Sequence, residues 1–401
     1  MKVLLLYNRI PFPLHDGGAM AVDSMARSLL EAGCDVHLFC LNASRSHVPP
    51  AQIPASLYEH FHLREFEVDT HLRPLAAAWN LLEGSSYHVS RFYDAAVAEA
   101  LANLLQNTAF DLVQLEATFM GVYLPTVRKY SRAKVVLRAH NVDYRIWERL
   151  AAGSTQPKRW YLQLQAARLK RFEEALYAQT DGCIAISPTD AQHIERLGKK
   201  PTISIGMGIE LPESNGHQAF KGEDLYRCLF LGSLDWQPNQ EAVQWLQNDI
   251  WPAIQKTSPR SSCVVAGKNA PARLMVKDHA GLKMAGFVPD AQTCMRQNPL
   301  FLVPMRSGSG IRIKILEALS LGLAVVSTRL GAEGLPVQHQ RELWLAETPL
   351  EFAAAVHWLQ QNPEEAFAMG ERGKSMVAAH FNRQSLGKQV RTFYQKLIQT
   401  S

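Results

Sequence analysis

The sequence predicts an α/β protein built from two doubly wound, Rossmann-like domains in series. Three observations carry this expectation. The chain has 401 residues, roughly twice the usual size of a single domain. Short apolar runs alternate with amphipathic helical stretches, as in a parallel sheet covered by helices on both faces. After Pro201 the alternation starts afresh, and no shorter repeat lies inside it.

The first cycle opens with Lys2–Tyr7 as a buried strand, followed by a loop that ends in Gly17 and Gly18. Val22, Met25, Ala26, Leu29 and Leu30 recur at helical spacing, and Gly33 can end that helix. Asp35–Leu41 returns as the second strand, and later strands are expected at Leu112–Leu115, Lys134–Arg138 and Gly182–Ile186. Between them lie a long amphipathic stretch, Val89–Leu105, and a basic helix, Lys158–Ala178.

In the second cycle Cys228–Gly232, Ser262–Ala266, Leu282–Gly286, Leu300–Pro304 and Leu323–Ser327 read as strands. Pro238–Ile254 reads as one helix with proline in its first turn, and Ile311–Leu321 as another. From Leu350 the chain is helical. Ile203–Pro212, with Gly206 and Gly208, is the linker candidate. The expected domains are therefore 1–205 and 206–381, with a last helix, about 382–401, packing back on the first.

Composition bounds the function. Hydrophobic residues make up 47% and charged residues 20%, the balance of a soluble globular protein. No stretch approaches the ~20 apolar residues of a membrane span. The apolar start is interrupted by Asn8, Arg9 and Pro11, which excludes a signal peptide and predicts a cytoplasmic protein. Cys34, Cys40, Cys183, Cys228, Cys263 and Cys294 are scattered, with no Cys-x-x-Cys pair. That argues for a reducing compartment and against a structural zinc site. The net charge of +5 suits anionic ligands or an anionic membrane surface. It lacks the basic stripe of a nucleic-acid binder.

The segment from Pro304 to Leu319 carries the chemistry. It runs from a buried strand through Ser307, Gly308, Ser309 and Gly310 into a helix. Small residues let a ligand approach the backbone, and the helix start offers N–H groups and partial positive charge to a phosphate. Arg312 and Lys314 oppose the helix dipole there, by about 0.3–1 kcal/mol each, unless an anion is bound. The plainer alternative pairs Lys314 with Glu317 on the surface and points Arg312 into solvent. Glu317, one turn on, is placed to accept hydrogen bonds from a ribose, or else is an exposed helix charge.

These residues resemble the donor-binding motif of family 4 glycosyltransferases, retaining enzymes of the GT-B fold. Other segments resemble the same family in the same order. Pro11, Pro13 and Asp16-Gly17-Gly18 resemble its N-terminal glycine loop, and Arg138-Ala-His140-Asn141-Val-Asp143 its histidine motif. Leu231–Trp245 and Ser327–Leu335 resemble a subgroup associated with bacterial exopolysaccharide assembly. Two departures stand out. The family pattern places a glutamate at the position of Ser309 and an Arg/Lys pair near Ser233.

The resemblance implies transfer of a sugar from a UDP-, GDP- or ADP-sugar to a glycan or lipid-linked acceptor, with no cofactor and no metal. Arg312 and Lys314 would act on the leaving diphosphate, with Lys268 as a further cation. Gly17, Gly18, Gly232, Ser233, Gly308, Ser309, Gly310 and Ile311 would line the donor, and Glu317 would hold the ribose. Phe287 and Val288 would form the base-binding corner.

His140 would position the donor sugar; its alternative is a packed strand-end histidine. Gly17 and Gly18 could equally be a tight turn. The acceptor would sit on the first domain. Within His62–Leu82, Arg64, Arg73 and Trp79 could meet a lipid-linked glycan or the inner face of the cell membrane, or form a solvated face. Two rival readings remain, an epimerase on the same architecture and a scaffold that binds nucleotide sugar without transfer. A dinucleotide oxidoreductase lacks its Gly-x-Gly-x-x-Gly after the first strand.

Overall fold

The computed structural model describes residues 1–14, 17–71, 86–212, 221–275, 280–308 and 311–400, apart from the side chain of Arg45. The chain divides into two compact units, Met1–Gly208 with Arg383–Ser401, and Ile209–Asn382. Each unit is a parallel sheet flanked by helices, and the protein has the two-domain α/β GT-B fold.

The sheet of the first unit has the order β3-β2-β1-β4-β5-β6-β7. Its strands are β1 (Lys2–Tyr7), β2 (Asp35–Ala43), β3 (Arg64–Val68), β4 (Leu112–Glu116), β5 (Lys134–Ala139), β6 (Gly182–Ala185) and β7 (Thr202–Ser204). Alternate residues of β1 enter different cores. Leu4 and Leu6 join Phe39, Val113 and Leu137 on one face, while Val3 and Leu5 join Val36, Leu38 and Val136 on the other. Both faces being buried explains why these strands read as unbroken apolar runs.

The second of these cores is closed by α1 (Gly17–Glu31) and by the last helix of the chain, Arg383–Gln399, which contributes Leu386, Val390, Phe393 and Leu397. Gly387 lies so close to α1 that a Cβ there would run into the Ser28 carbonyl.

The other helices of this unit are α2 (Ala55–Phe61), α3 (Tyr87–Ser90), α4 (Ala95–Asn107), α5 (Leu124–Tyr130), α6 (Asp143–Ala152), α7 (Lys158–Gln179) and α8 (Pro188–Gly198). Val89–Leu105 is thus not one amphipathic element. Asp94 accepts hydrogen bonds from the backbone of Ala96 and Val97 and starts α4 as its N-cap. Of the segment His62–Leu82, Arg64–Val68 pairs with β2 as an edge strand, while Arg73 and Trp79 lie outside the described residues. Alternating charge in Arg-Glu-Phe-Glu-Val is what an edge tolerates.

The sheet of the second unit has the order β10-β9-β8-β11-β12-β13. Its strands are β8 (Arg227–Leu231), β9 (Ser262–Ala266), β10 (Leu282–Gly286), β11 (Leu300–Val303), β12 (Ala324–Ser327) and β13 (Trp344–Leu345). The expected helix Pro238–Ile254 is divided. Helix α9 (Gln237–Trp245) passes through a π-helical turn, Leu246–Ile250, into α10 (Trp251–Thr257). Pro252, which supplies no N–H and crowds the carbonyl four residues back, accounts for the widened turn.

Next come α11 (Ala291–Gln297) and α12 (Ile313–Ser320). Helix α12 starts two residues later than expected, with Arg312 as its extended N-cap. Then α13 (Pro349–Gln361) and α14 (Pro363–His380) lead to α15 (Arg383–Gln399). The backbone of Gly208 lies against Arg383, where the chain returns to the first unit.

Candidate active site

In both sheets the strand order reverses at one point, between β1 and β4 in the first unit and between β8 and β11 in the second. Loops leaving the carboxyl ends of such strands splay apart and leave a crevice. Gly17, Gly18 and His140 fall at the first point and Gly232, Ser233, Gly308, Arg312 and Lys314 at the second, whereas Lys268 follows β9 and Phe287 and Val288 follow the edge strand β10.

In the second unit the loops after β8 and β11 meet at this point. Gly232 follows β8, and a Cβ on it would meet the Asn239 amide at 2.8 Å. Asn239, in the first turns of α9, donates to the Ser233 carbonyl at 2.8 Å and accepts from Lys314 Nζ at 2.9 Å. It therefore joins the loop after β8 to the start of α12. Lys314 Nζ also stands 4.2 Å from the centre of the Phe230 ring. Burial, and then the neighbouring Arg312 charge, hold its ammonium down to about 7. The surface pair with Glu317 is not formed.

Arg312 is not in solvent either. It is buried, its guanidinium 5.5 Å from the centre of the Trp236 ring. Gly308, at φ +99°, leaves room for both, since a Cβ there would lie 3.0 Å from Arg312 Nη2 and from the Trp236 ring. Ser307 Oγ donates to Glu241 Oε2 at 2.5 Å and ties the loop to α9. Glu317 is partly buried, not an exposed helix charge, and burial raises its carboxyl pKa. Ile311 packs near Gly334. Ser309 and Gly310 lie outside the described residues.

Lys268 follows β9, and its carbonyl accepts from the Leu234 backbone. Phe287 is 69% exposed just after β10, beside the half-buried Val288. Gly286 before them has φ +67°. Trp236 and Asn239 were not singled out from sequence. Their signal was an Asn in the first turn of a helix facing a Gly-Ser loop.

In the first unit a cavity of about 400 Å³ opens at the reversal point. Its lining includes Asn8 and Arg9 after β1, Gly18 in the first turn of α1, Arg91, Phe119, and His140, Asn141 and Asp143 after β5. Gly17, beside Gly18, is exposed at the start of α1. Beneath His140 lies a buried polar row. Tyr7, Glu116 and Arg138 are register neighbours on β1, β4 and β5. Glu116 accepts from His140 Nε2 at 2.7 Å, from Arg138 Nη1 at 3.2 Å and from Gln114 Nε2 at 2.6 Å.

Burial alone would raise the Glu116 carboxyl, but Arg138, His140 and Gln114 outweigh it and the net shift is downward. Arg138 also donates to the Ala21 carbonyl in α1, and Tyr394 of α15 donates to Gln114. Glu116 was legible only as a polar residue ending an apolar strand, the one place where a doubly covered strand can turn functional.

A second buried carboxylate underlies the same loop. Glu173 of α7 accepts from the backbone of Asp143 and Tyr144 and from the Thr118 and Tyr177 hydroxyls, capping α6 from outside. Among the described residues, Asp35, His37 and His62 also converge, at the amino end of β2, the far end of the sheet from the cavity.

Residues 15–211 match the model for Glycosyltransferase Family 4, and residues 226–362 match that for Glycosyl transferases group 1. The chain belongs to the family 4-like glycosyltransferases. As a glycosyltransferase it is 22% identical over 366 residues to an uncharacterized 44.6 kDa protein in the cps region of Klebsiella pneumoniae, covering 88% of this chain and 89% of that protein.

Among solved structures it resembles Anabaena Alr3699/HepE, determined with UDP and glucose, at TM-score 0.61 and 13% identity over 98% of this chain and 99% of that one. It also resembles sucrose-phosphate synthase from Thermosynechococcus elongatus, at TM-score 0.66 and 16% identity over the full length of both. At these identities the likeness is one of fold. Among the described residues, no helix is long and apolar enough to cross a membrane.

Proposed function

We propose that this glycosyltransferase moves a sugar from a nucleoside-diphosphate sugar to a glycan or lipid-linked acceptor, with retention of configuration and without a metal, in the building of a surface polysaccharide. The observation that supports it most is the pair of cations at the start of α12, Arg312 buried and Lys314 half-buried. Arg312 and Lys314 sit side by side, and among the described residues Lys314 makes no ion pair. Two neighbouring cations at a helix start are unfavourable until an anion arrives between them. A diphosphate would take both charges and the helix-terminal N–H groups together.

As the sugar–phosphate bond breaks, negative charge grows on the leaving diphosphate, where these groups stabilise it. Phe287 and Val288 offer a surface for the base, Glu317 a carboxylate for the ribose, and the loop from Gly308 close backbone approach. Gly232, Ser233 and Lys268 complete the donor side. In the first unit, His140 would orient the sugar, Gly17 and Gly18 would approach the phosphates, and the cavity beside them would take the acceptor. The Anabaena relative's complex with UDP and glucose supports a nucleotide sugar as donor. The Klebsiella relative's cps-region origin supports the polysaccharide role.

The test is a thermal-shift screen of UDP, GDP, ADP and their sugars, followed by NMR of the released sugar with and without EDTA. Stabilisation by one nucleoside diphosphate and release of the sugar in the donor's own anomeric form, in EDTA, is expected. Silence toward every nucleotide overturns the donor assignment. An inverted anomer overturns retention, and loss of turnover in EDTA overturns metal independence.

A further inference from the structure

We propose that the outer tip of the α6–α7 hairpin seats the protein on an anionic membrane surface. Helix α6 has two unlike faces. Tyr144 and Ala151 are buried, and Trp147 turns inward, its ring 4.8 Å from His88 in an edge contact. Ile146 and Leu150, one turn apart, stand away from that face and are 40% and 54% exposed. Trp160, in the first turn of α7, is 55% exposed. The two helices pack on each other, so these three side chains belong to one helical hairpin. Apolar groups of this size left in water are unfavourable unless something covers them.

The charge around them selects the cover. Between Tyr144 and Trp160 the cations are Arg145, Arg149, Lys158 and Arg159, and the lone acid is Glu148. Arg149, Lys158 and Arg159 are exposed. Leucine, isoleucine and tryptophan ringed by arginine and lysine match the boundary of an anionic bilayer, where apolar side chains enter the acyl edge and cations meet the headgroups. A neutral protein partner or a second copy of the chain would gain nothing from this ring, since like charges would meet across a symmetric contact.

Position gives the contact a use. Helix α6 begins at Asp143, in the cavity lining, and its ten residues carry the chain about 15 Å out to the exposed tip. A lipid-linked acceptor could then keep its chain in the bilayer while its polar head enters the cavity. The surface is argued from exposure and charge; its use rests on the lipid-linked acceptor of the proposed function.

The test is co-sedimentation of the full chain with vesicles of phosphatidylcholine alone or mixed with phosphatidylglycerol, with UDP thermal shift measured on the same samples. Binding to the mixed vesicles, weakened by salt, is expected. Leu150→Glu and Trp160→Ser should abolish it, and Arg149→Ser with Lys158→Ser should weaken it about fivefold per cation removed. None of the four residues lies in the donor site, so the UDP response should be unchanged, which also shows that the variants fold. A UDP response without vesicle binding, or variants that bind like wild type, overturns the membrane proposal and leaves the transfer reading standing. Vesicle binding without any nucleotide response does the reverse. Loss of a dimer in Leu150→Glu, with no vesicle binding in wild type, assigns the tip to a second copy and also overturns the proposal.

Discussion

His140 Nε2 donates to Glu116 Oε2 at 2.7 Å, so a ring on the cavity wall is held by a carboxylate with no exposure of its own. A carboxylate only accepts, which places a proton on Nε2. Arg138, on the next strand, compensates the Glu116 charge.

Two variants separate the roles in this row. Glu116→Gln leaves Arg138 buried without its counter-charge and should lower stability by about 3–5 kcal/mol in urea unfolding. His140→Ala removes one hydrogen bond at the cavity wall, should change stability by only about 1 kcal/mol, and should cut the transfer rate about tenfold. Unchanged transfer by His140→Ala would return the histidine to the role of a packed strand-end residue.

Much of this fold was readable because both sheets are covered on both faces. Runs such as Val3–Leu6 and Leu300–Val303 are fully apolar and too short for a helix, so their length and flanking residues place them as strands. Arg64–Val68 escaped because an edge strand with alternating charges looks like a solvated surface. The π-helical turn before Trp251 escaped because the apolar spacing of a helix continues on both sides of Pro252.

The donor-side loop was legible from its small residues and following cations. Asn239 and Trp236 were not, because their part depends on the loops after β8 and β11 meeting at the strand-order reversal. No spacing along the chain encodes that meeting.

Donor affinity should depend on the two neighbouring cations, Arg312 buried and Lys314 half-buried. A charge-assisted hydrogen bond to phosphate contributes about 1.5–3 kcal/mol, so Arg312→Ala and Lys314→Ala should each weaken UDP binding about tenfold to a hundredfold. Calorimetric titration reads this directly. Lys314→Ala should leave unfolding stability near wild type, since the half-buried ammonium, with its pKa held down by desolvation, is itself unfavourable. Near-unchanged affinity in both variants would remove the diphosphate from α12.

The last helix should behave as part of the first unit, not as a tail. Gly387→Ala forces a methyl into the Ser28 carbonyl of α1 and should cost about 1–3 kcal/mol. Gly153→Ala, near which a Cβ would meet nothing closer than 3.8 Å, serves as the control and should change stability by about 0.5 kcal/mol at most. Equal stability of the two variants would mean that α15 can lift from α1 without consequence.

Stability should vary with pH in two adjoining windows of opposite slope. Burial first, and then the neighbouring Asp143, raise Glu173 to about 7 from 4.5 in the unfolded chain. Between these values the folded protein holds a proton that the unfolded one has released. Its contribution is therefore fully present below 4.5 and lost as pH rises through 7.

Lys314 works the other way. Its folded value of about 7 lies below the unfolded 10.5, so the folded form binds fewer protons across that window and stability rises with pH. Urea unfolding at stepped pH should show both limbs, with Glu173→Gln flattening the acid one and Lys314→Met the alkaline one.

The same lysine predicts a ligand effect. Bound diphosphate would restore the ammonium, so UDP binding just above pH 7 should take up a proton, visible as a calorimetric heat that depends on the buffer. A buffer-independent heat in wild type would show that Lys314 keeps its protonation state when UDP binds. An uptake that survives in Lys314→Met would move the proton to another group.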